Sequence, residues 1–146
     1  MAEKTLQVKI VTPYAMFFDG PAEMVVMTCK DGELGVLPGH SPLLGALTPG
    51  ETRLKINGEW RIAATTNGYS EVGPALTILV VNAAEWADQI DVPRAKSALG
   101  RAEAHLKEAD FPLQERIHAR HGIARAKARL KVAAKYAANQ AHIKKT

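Results

Sequence analysis

The sequence predicts an α+β protein in which an N-terminal antiparallel β-sandwich is followed by a C-terminal antiparallel two-helix hairpin. Two observations carry this prediction. Turn-forming pairs such as Asp31-Gly32 and Asn67-Gly68 punctuate the chain as far as Pro74, whereas a helical apolar spacing begins at Val92. Short strands between frequent turns are typical of sandwiches, and two periodic segments around a short break are typical of a helical hairpin. We therefore assign residues 1–86 to the sandwich and residues 87–146 to a linker and the hairpin.

Strand patterns are recognisable in the first part at Leu6–Ile10, Met24–Cys29, Arg53–Ile56, Glu59–Thr66 and Leu76–Val81. The first pattern alternates polar and apolar side chains, as a strand with one buried face does. Asn57-Gly58 is a strong signal for a two-residue hairpin turn and joins the third strand to the fourth. The last strand is apolar at every position except Thr77, so we expect it to be buried on both faces.

Two helical patterns fill the last third of the chain. The first is an apolar stripe formed by Val92, Ala95, Leu99, Ala102 and Leu106. Asp91 is placed to cap this helix, and Pro93 fits its first turn. After a break around Asp110-Phe111-Pro112, a second helix is expected over residues 113–140, with a stripe formed by Ala119, Ile123, Ala126, Leu130, Ala133 and Ala137. Both stripes are narrow and rich in alanine, so the hairpin is expected to be weakly anchored.

Charge divides at the same place as the strand and helix patterns. The 146 residues carry a net charge of +4, but residues 1–92 hold 6 Lys and Arg against 11 Asp and Glu, whereas residues 93–146 hold 13 Lys and Arg against 4 Asp and Glu.

The single cysteine, Cys29, cannot form an internal disulfide. The stretch Ala75–Val81, in which Thr77 is the one polar residue, is far shorter than the roughly 20 residues of a membrane-spanning helix. We expect a soluble, intracellular chain without a signal peptide.

Common catalytic and nucleotide-binding motifs are absent from the sequence: G-x-x-x-x-G-K-S/T, G-x-G-x-x-G after a strand, H-E-x-x-H and C-x-x-C. The conspicuous segment is Asp31–Leu44, which is interpreted as a series of tight turns at one end of the sandwich. Its alternative, a phosphate cradle, lacks the lysine and the helix start that such a loop uses. His40 beside Ser41 lacks a third group to orient the pair for nucleophilic catalysis.

Polar residues on the second helix have two competing interpretations. Glu115, His118 and His121 are spaced so that they could bind one metal ion, but residues spaced in this way more often form a solvated polar face, so no metal is expected.

Arg125 and Arg129 lie one turn apart and favour a polyanionic partner. The alternative function is therefore a stand-alone nucleic-acid-binding module built on the basic hairpin, although no aromatic stacking platform accompanies the charge.

Three segments resemble one known family. They are D-G-E-L-G-V-L-P-G-H-S-P-L-L from Asp31, L-T-P-G-E from Leu47 and A-E-W-A-D-Q-I-D-V-P-R-A from Ala84. They are similar to epsilon subunits of bacterial F1Fo ATP synthases, and the resemblance covers nearly the whole chain. It implies a non-catalytic central-stalk (rotor) subunit that couples proton flow to ATP synthesis. Its sandwich would dock on the gamma subunit and the c-ring, and Glu33 and His40 match family positions at those contacts.

The same resemblance implies a regulatory hairpin. Folded against the sandwich, the hairpin of this family is permissive; extended along gamma, it reaches the alpha and beta subunits and inhibits ATP hydrolysis. The resemblance further implies a peripheral protein on the cytoplasmic face of the cell membrane, with no direct insertion into the bilayer and no nucleic-acid partner.

Some members of this family bind regulatory ATP in the folded hairpin, and no cofactor is otherwise required. The positions of this chain that match the family's ATP-binding positions are Glu85, Ile90, Asp91, Ala95, Arg101, Arg125 and Arg129. Three guanidinium groups can hold a phosphate chain without a phosphate loop. The alternative is that Asp91 only caps a helix and that the arginines contact a partner protein.

Overall fold

The computed structural model describes residues 4–108, 110 and 112–145. The chain forms two compact units, one ending at Trp86 and the other beginning at Ala87. The strands of the first unit are β1 Leu6–Val11, β2 Met16–Ala22, β3 Met24–Cys29, β4 Gly32–Val36, β5 Leu43–Leu47, β6 Gly50–Ile56, β7 Glu59–Thr65, β8 Gly68–Val72, β9 Leu76–Val81 and β10 Ala84–Trp86. The second unit contains a 3-10 turn, Ala87–Gln89, and the helices α1 Val92–Leu106 and α2 Leu113–Lys145. The predicted α+β class is confirmed.

The strands of the first unit form two connected layers. One layer has the order β2-β1-β9-β8-β5 and the other β4-β3-β6-β7-β10, and they join where Leu47 of β5 pairs with Cys29 of β3. Neighbouring strands are antiparallel, as predicted, except that β1 and β9 run parallel. Parallel neighbours need a long connection, and the intervening strands of the sandwich supply it.

The core of the first unit is built from the inward residues of both layers. Val8 and Ile10 of β1, Met27 of β3 and Leu54 of β6 are almost completely buried and belong to one apolar cluster. In β1 the buried residues Val8 and Ile10 alternate with half-buried ones, as the pleat of a strand with one core-facing side requires. The predicted alternation of β1 is thereby confirmed.

The hairpin turn predicted at Asn57-Gly58 is confirmed. These residues connect β6 to β7 with φ values of 51° and 80°, as a type I′ turn requires. The run Leu76–Val81 is a strand, β9, but the expectation that it is buried on both faces is wrong. Thr77, Leu79 and Val81 point into the core. On the opposite face of the strand Leu76 is 39% exposed and the other residues are half-buried, because the core covers only one face of this layer.

The segment Asp31–Leu44 is more regular than a series of turns. It contains all of β4, which forms a hairpin with β3, and the first residues of β5. Apart from the β3–β4 turn at Asp31, its turns lie in the loop between β4 and β5. There Gly39 has a φ of 88°, and its backbone N–H donates to the carbonyl oxygen of Pro74 at 2.8 Å.

The second unit is an antiparallel helical hairpin. The Asp91 side chain accepts a hydrogen bond from the Arg94 backbone N–H at 3.0 Å, which confirms the predicted cap of α1. α2 continues to Lys145, beyond the predicted end at residue 140, because neither glycine nor proline follows to stop it. Phe111, in the predicted break, lies outside the described residues.

Small side chains dominate the interior of the second unit. Among its described residues the buried hydrophobic ones are Ala87, Ala95, Ala119, Ala126 and Val132. Ala119 and Ala126 belong to the predicted stripe of α2, whereas Val132 lies off that stripe and Ala137 is exposed. Side chains of this size remove little apolar area from water, so each contributes little to the stability of the hairpin.

Candidate functional site

The loop between β4 and β5 holds His40 in a defined position. The His40 backbone N–H donates to the carbonyl oxygen of Leu37 at 3.2 Å. Its half-buried ring places Nδ1 2.7 Å from the carbonyl oxygen of Ser41, so Nδ1 carries the proton and donates. The imidazole is thus engaged with the Ser41 backbone instead of with the hydroxyl that a nucleophilic mechanism would need activated.

Cys29 is the chain's one thiol and is partly buried at the end of β3. Burial raises the pKa of this thiol, and the nearby carboxylate of Asp31 raises the pKa further. Both effects keep the sulfur protonated at neutral pH, and the thiol is a much weaker nucleophile than the thiolate. Cys29 is therefore not suited to covalent catalysis.

Glu33 lies on β4, opposite Thr28 of β3, as part of a charged cluster. Its Oε1 accepts a hydrogen bond from Nη1 of Arg53 at 3.0 Å, and the same nitrogen is 3.8 Å from Oε2 of Glu51. The guanidinium carbon of Arg53 also lies 5.5 Å from the ring centroid of Trp60. The Glu33 side chain nevertheless remains 54% exposed. The structure therefore pairs Glu33 with Arg53, a partner that sequence reasoning missed because the two lie 20 positions apart.

An exposed apolar surface covers the outer side of β5, β8 and β9. Strand pairing aligns two rows of side chains there: Leu44, Glu71 and Ile78 in one row, and Ala46, Tyr69 and Val80 in the other. We call this the β5–β8–β9 face. Leu44 is 76% exposed and Tyr69 is 55% exposed. Contiguous exposed apolar residues of this kind mark interaction surfaces.

Sequence reasoning missed this face, although the sequence contains a signal for it. β9 is apolar at every position except the inward-facing Thr77, and only alternate residues are needed for the core. The surplus apolar residues lie on the outer side of the sheet. A strand with both faces apolar can therefore indicate a partner surface as well as burial within the fold.

A groove of about 490 Å³ runs between the two helices of the second unit. Its lining residues are Ala98, Arg101, Ala102 and His105 of α1 and Glu115, His118, Ala119 and Gly122 of α2. Nη2 of Arg125 lies 3.8 Å from the position that a Cβ on Gly122 would occupy, so this guanidinium group is beside the groove. Arg129 follows one turn later on α2. The structure thus brings Arg101 and Arg125 to one groove from different helices.

The other positions proposed for ATP are placed differently. Asp91 caps α1 through Arg94, and Ile90 precedes it in the segment that leads into the helix. Ala95 is completely buried within the second unit. Glu85 belongs to the first unit, where it lies on β10 opposite Ala64.

The metal hypothesis finds little geometric basis. Glu115 and His118 line the helical groove, but His121 does not. Within residues 4–108, 110 and 112–145, no group of three or more His, Cys, Asp and Glu side chains is placed to hold a metal ion. In the same part of the chain, no helix is both long and apolar enough to cross a membrane.

Comparison with protein families accounts for both units. Residues 5–87 match the β-sandwich domain of the ATP synthase delta/epsilon chain, and residues 88–134 match the long α-helix domain of the same chain. An ATP synthase epsilon chain from Bacillus pumilus is 45% identical over 103 residues, which are 70% of this chain and 79% of the relative. One from Caldanaerobacter subterraneus is 36% identical over 135 residues, 92% of this chain and 97% of the relative.

Two solved structures share the fold at low sequence identity. A chain of the Euglena gracilis mitochondrial ATP synthase, from a structure of OSCP, F1 and the c-ring, superposes with a TM-score of 0.77 at 18% identity and covers 88% of this chain and 81% of its own. A chain from the central stalk and c-ring of the Tetrahymena thermophila mitochondrial ATP synthase gives a TM-score of 0.57 at 14% identity. The match covers 90% of this chain and 97% of the Tetrahymena chain. None of these four matches supports the nucleic-acid alternative.

Proposed function

Because this chain belongs to the ATP synthase delta/epsilon family, we propose that it acts as a central-stalk (rotor) subunit of a proton-translocating F-type ATP synthase. The main support for this proposal is that the two units match, in the same order, the two domains of one subunit family. Subunits of this family are not catalytic. The chain would couple proton flow to ATP synthesis mechanically, by holding together the parts of the rotor.

The gamma subunit is the proposed occupant of the β5–β8–β9 face. This face presents Leu44 and Tyr69 to solvent, which is unfavourable unless a partner covers them. The face spans three strands, so it offers a broad surface on which a partner subunit can pack. The solved structures with this fold come from ATP synthase assemblies that contain the F1 part or the central stalk, which supports the assignment.

Leu44→Asp tests this docking surface. We expect the affinity for the isolated gamma subunit to fall about tenfold or more, because the substitution removes an apolar contact and buries an unpaired charge. Titration of the full-length chain onto gamma, followed by calorimetry, measures the effect. Tyr14→Asp is the matched control, since Tyr14 is 93% exposed in the turn between β1 and β2. Equal affinities for the two variants would argue against this face.

The c-ring is the proposed partner of Glu33 and His40. The exposed carboxylate of Glu33 offers a negative charge to basic or polar loops, and the hydrogen bonds around His40 give its loop a defined shape before docking. Contact with a membrane-embedded ring would make this chain a peripheral protein on the cytoplasmic face of the cell membrane. No inserted segment of its own is required for this placement.

The second unit is the proposed brake on ATP hydrolysis. In the extended placement its helices would lie along gamma and contact the alpha and beta subunits. Two properties support this role: the basic excess of residues 93–146, which favours acidic partner segments, and the small buried side chains, which make the hairpin easy to release. At 1.5 Å per residue, the 33-residue α2 is about 50 Å long, which provides the reach.

Regulatory ATP is the proposed ligand of the hairpin, held by Arg101, Arg125 and Arg129. Binding would favour the folded placement, because a ligand stabilises the state that binds it. Arg101 and Arg125 already lie beside one groove, and their guanidinium groups match phosphate oxygens in geometry and charge.

Calorimetry of the full-length chain with ATP and Mg²⁺ tests the ligand. We expect saturable heat for the unmodified chain, and about tenfold weaker binding for Arg125→Ala, because charge-assisted hydrogen bonds to phosphate are lost. Arg120→Ala is the matched control, being an exposed arginine of the same helix that does not line the groove. Absence of heat at millimolar ATP would remove the ligand from the proposal while leaving the docking role intact.

A further inference from the structure

The cluster around Glu33 contains a second functional residue, Arg53. We propose that Arg53 is a positioning residue: it holds the Glu33 carboxylate in the orientation in which a basic partner loop docks. This inference rests on the proposed rotor function, in which Glu33 meets such a loop. It adds a residue outside the segment Asp31–Leu44 that carries the family resemblance at this site.

The position of Arg53 is set by the sheet and by its own contacts. Arg53 lies on β6 opposite Val26 of β3, and Glu33 lies on β4 opposite Thr28, so the two side chains meet across β3 on the same side of the layer. The Arg53 side chain is only 24% exposed. Its stacking on Trp60 and its approach to Glu51 restrain it further, so Nη1 presents a fixed donor to Glu33.

Glu33 carries the exposed negative charge of the cluster. One guanidinium group faces two carboxylates, at 3.0 Å and 3.8 Å. The Glu51 side chain is 15% exposed and that of Glu33 is 54% exposed, so Glu33 is the carboxylate that a partner can reach. Arg53 therefore orders Glu33 while more than half of that side chain stays exposed to a cationic partner.

Ordering the carboxylate before docking matters because glutamate has a flexible side chain. A free glutamate loses rotamer freedom when a partner fixes it, and that loss opposes binding. In this chain the restraint is already present in the unbound subunit. Removing Arg53 takes away this restraint on the Glu33 side chain, so docking is expected to weaken although a positive charge that repels a basic loop has been removed. The direction of the change in affinity therefore distinguishes the two roles. A positioning role predicts weaker docking of the variant, whereas electrostatic repulsion alone predicts stronger docking.

The experiment titrates full-length variants onto ATP synthase complexes from which the native subunit has been removed, at two ionic strengths. Arg53→Ala is expected to weaken docking about fivefold, and Arg53→Lys by less, because lysine keeps the charge but not the planar fork. Lys55→Ala is the matched control: it removes the same charge from the same strand, two residues away, and is expected to leave affinity unchanged or slightly higher. Thermal unfolding of each variant reports whether the sandwich is intact, and Arg53→Lys carries the test if Arg53→Ala does not fold.

A double-mutant cycle shows whether Arg53 acts through Glu33. In a Glu33→Gln background, Arg53→Ala is expected to cause no further loss. The exchange E33R/R53E keeps an attractive pair within the subunit but presents a positive charge to the partner, so it is expected to fold and to lose docking more than about tenfold. The inference is overturned if Arg53→Ala binds as Lys55→Ala does, if its loss persists in the Glu33→Gln background, or if the exchanged pair docks normally. Failure of the unmodified chain to dock would instead overturn the proposed rotor function.

Discussion

A chain that ends at Ile90 is expected to dock on the ATP synthase as the full chain does, and to raise the rate of ATP hydrolysis by the complex about fivefold. The apolar core cluster of the first unit comes entirely from residues up to Trp86, so removal of the helices leaves that core complete. The fivefold figure follows if the extended, inhibitory placement is more stable than the permissive one by about 1 kcal/mol. Steady-state hydrolysis by complexes reconstituted with each chain, with and without preincubation in ATP, measures the effect.

The charge of α2 can be separated from its bulk in the same assay. Replacing the exposed residues Lys127 and Lys131 by glutamine keeps the helix but removes two positive charges from one side of it. We expect hydrolysis between that of the full-length and truncated chains, because contact with acidic segments is weakened while the steric block remains. If the truncated chain docks and hydrolysis stays unchanged, the hairpin is not a brake.

Gly68→Ala is expected to have the largest effect on stability, a loss on the order of 3 kcal/mol or more in the free energy of unfolding. Gly68 begins β8 and is paired with both Leu47 of β5 and Val81 of β9. A Cβ built there clashes with the carbonyl oxygen of Val80 and lies 2.9 Å from the Val80 carbonyl carbon. These are backbone atoms in the middle of a sheet, so they cannot yield as a side chain can.

Chemical denaturation followed by tryptophan fluorescence measures this loss. Trp86 is buried beside Phe17, with ring centroids 4.5 Å apart, so it reports on the packing of the first unit. Gly100→Ala is the matched control: Gly100 is exposed within α1, a Cβ there meets nothing within 4 Å, and helicity by circular dichroism is expected to rise slightly. A Gly68→Ala chain as stable as the unmodified one would show that the two strands can separate without cost.

Five of the ten strands and both helices of the described residues were predictable because their signals are short-ranged. β3 has the predicted bounds, and the Asn57-Gly58 turn needs only the positive φ values that these two residues tolerate. Helix α1 depends on a period of apolar residues, and its cap depends on the Asp91 side chain, which accepts from a backbone N–H only three residues away. β4 and β5 were not predicted as strands, because the glycines of the conspicuous segment resemble turn residues and only pairing with β3 and β8 shows their extended role.

The candidate sites were predictable only in part. Glu33, His40 and the arginines follow from resemblance to a family, which names positions but not contacts. Arg53 could not be found in this way, since its relation to Glu33 depends on β4 and β6 lying on either side of β3. The β5–β8–β9 face likewise needs the register of three strands before its residues form one surface.

Local chemistry along the chain therefore determines the class of the fold, the boundary between an acidic sandwich and a basic hairpin, and the absence of common catalytic motifs. These features depend on turn residues, periodicity and charge, which act between near neighbours. Tertiary structure decides which surplus apolar residues face outward, which cation orders Glu33, and that Arg125 lies beside the groove lined by Arg101. Such relations join residues distant in sequence, and only the pairing of strands and the packing of helices bring them within contact distance.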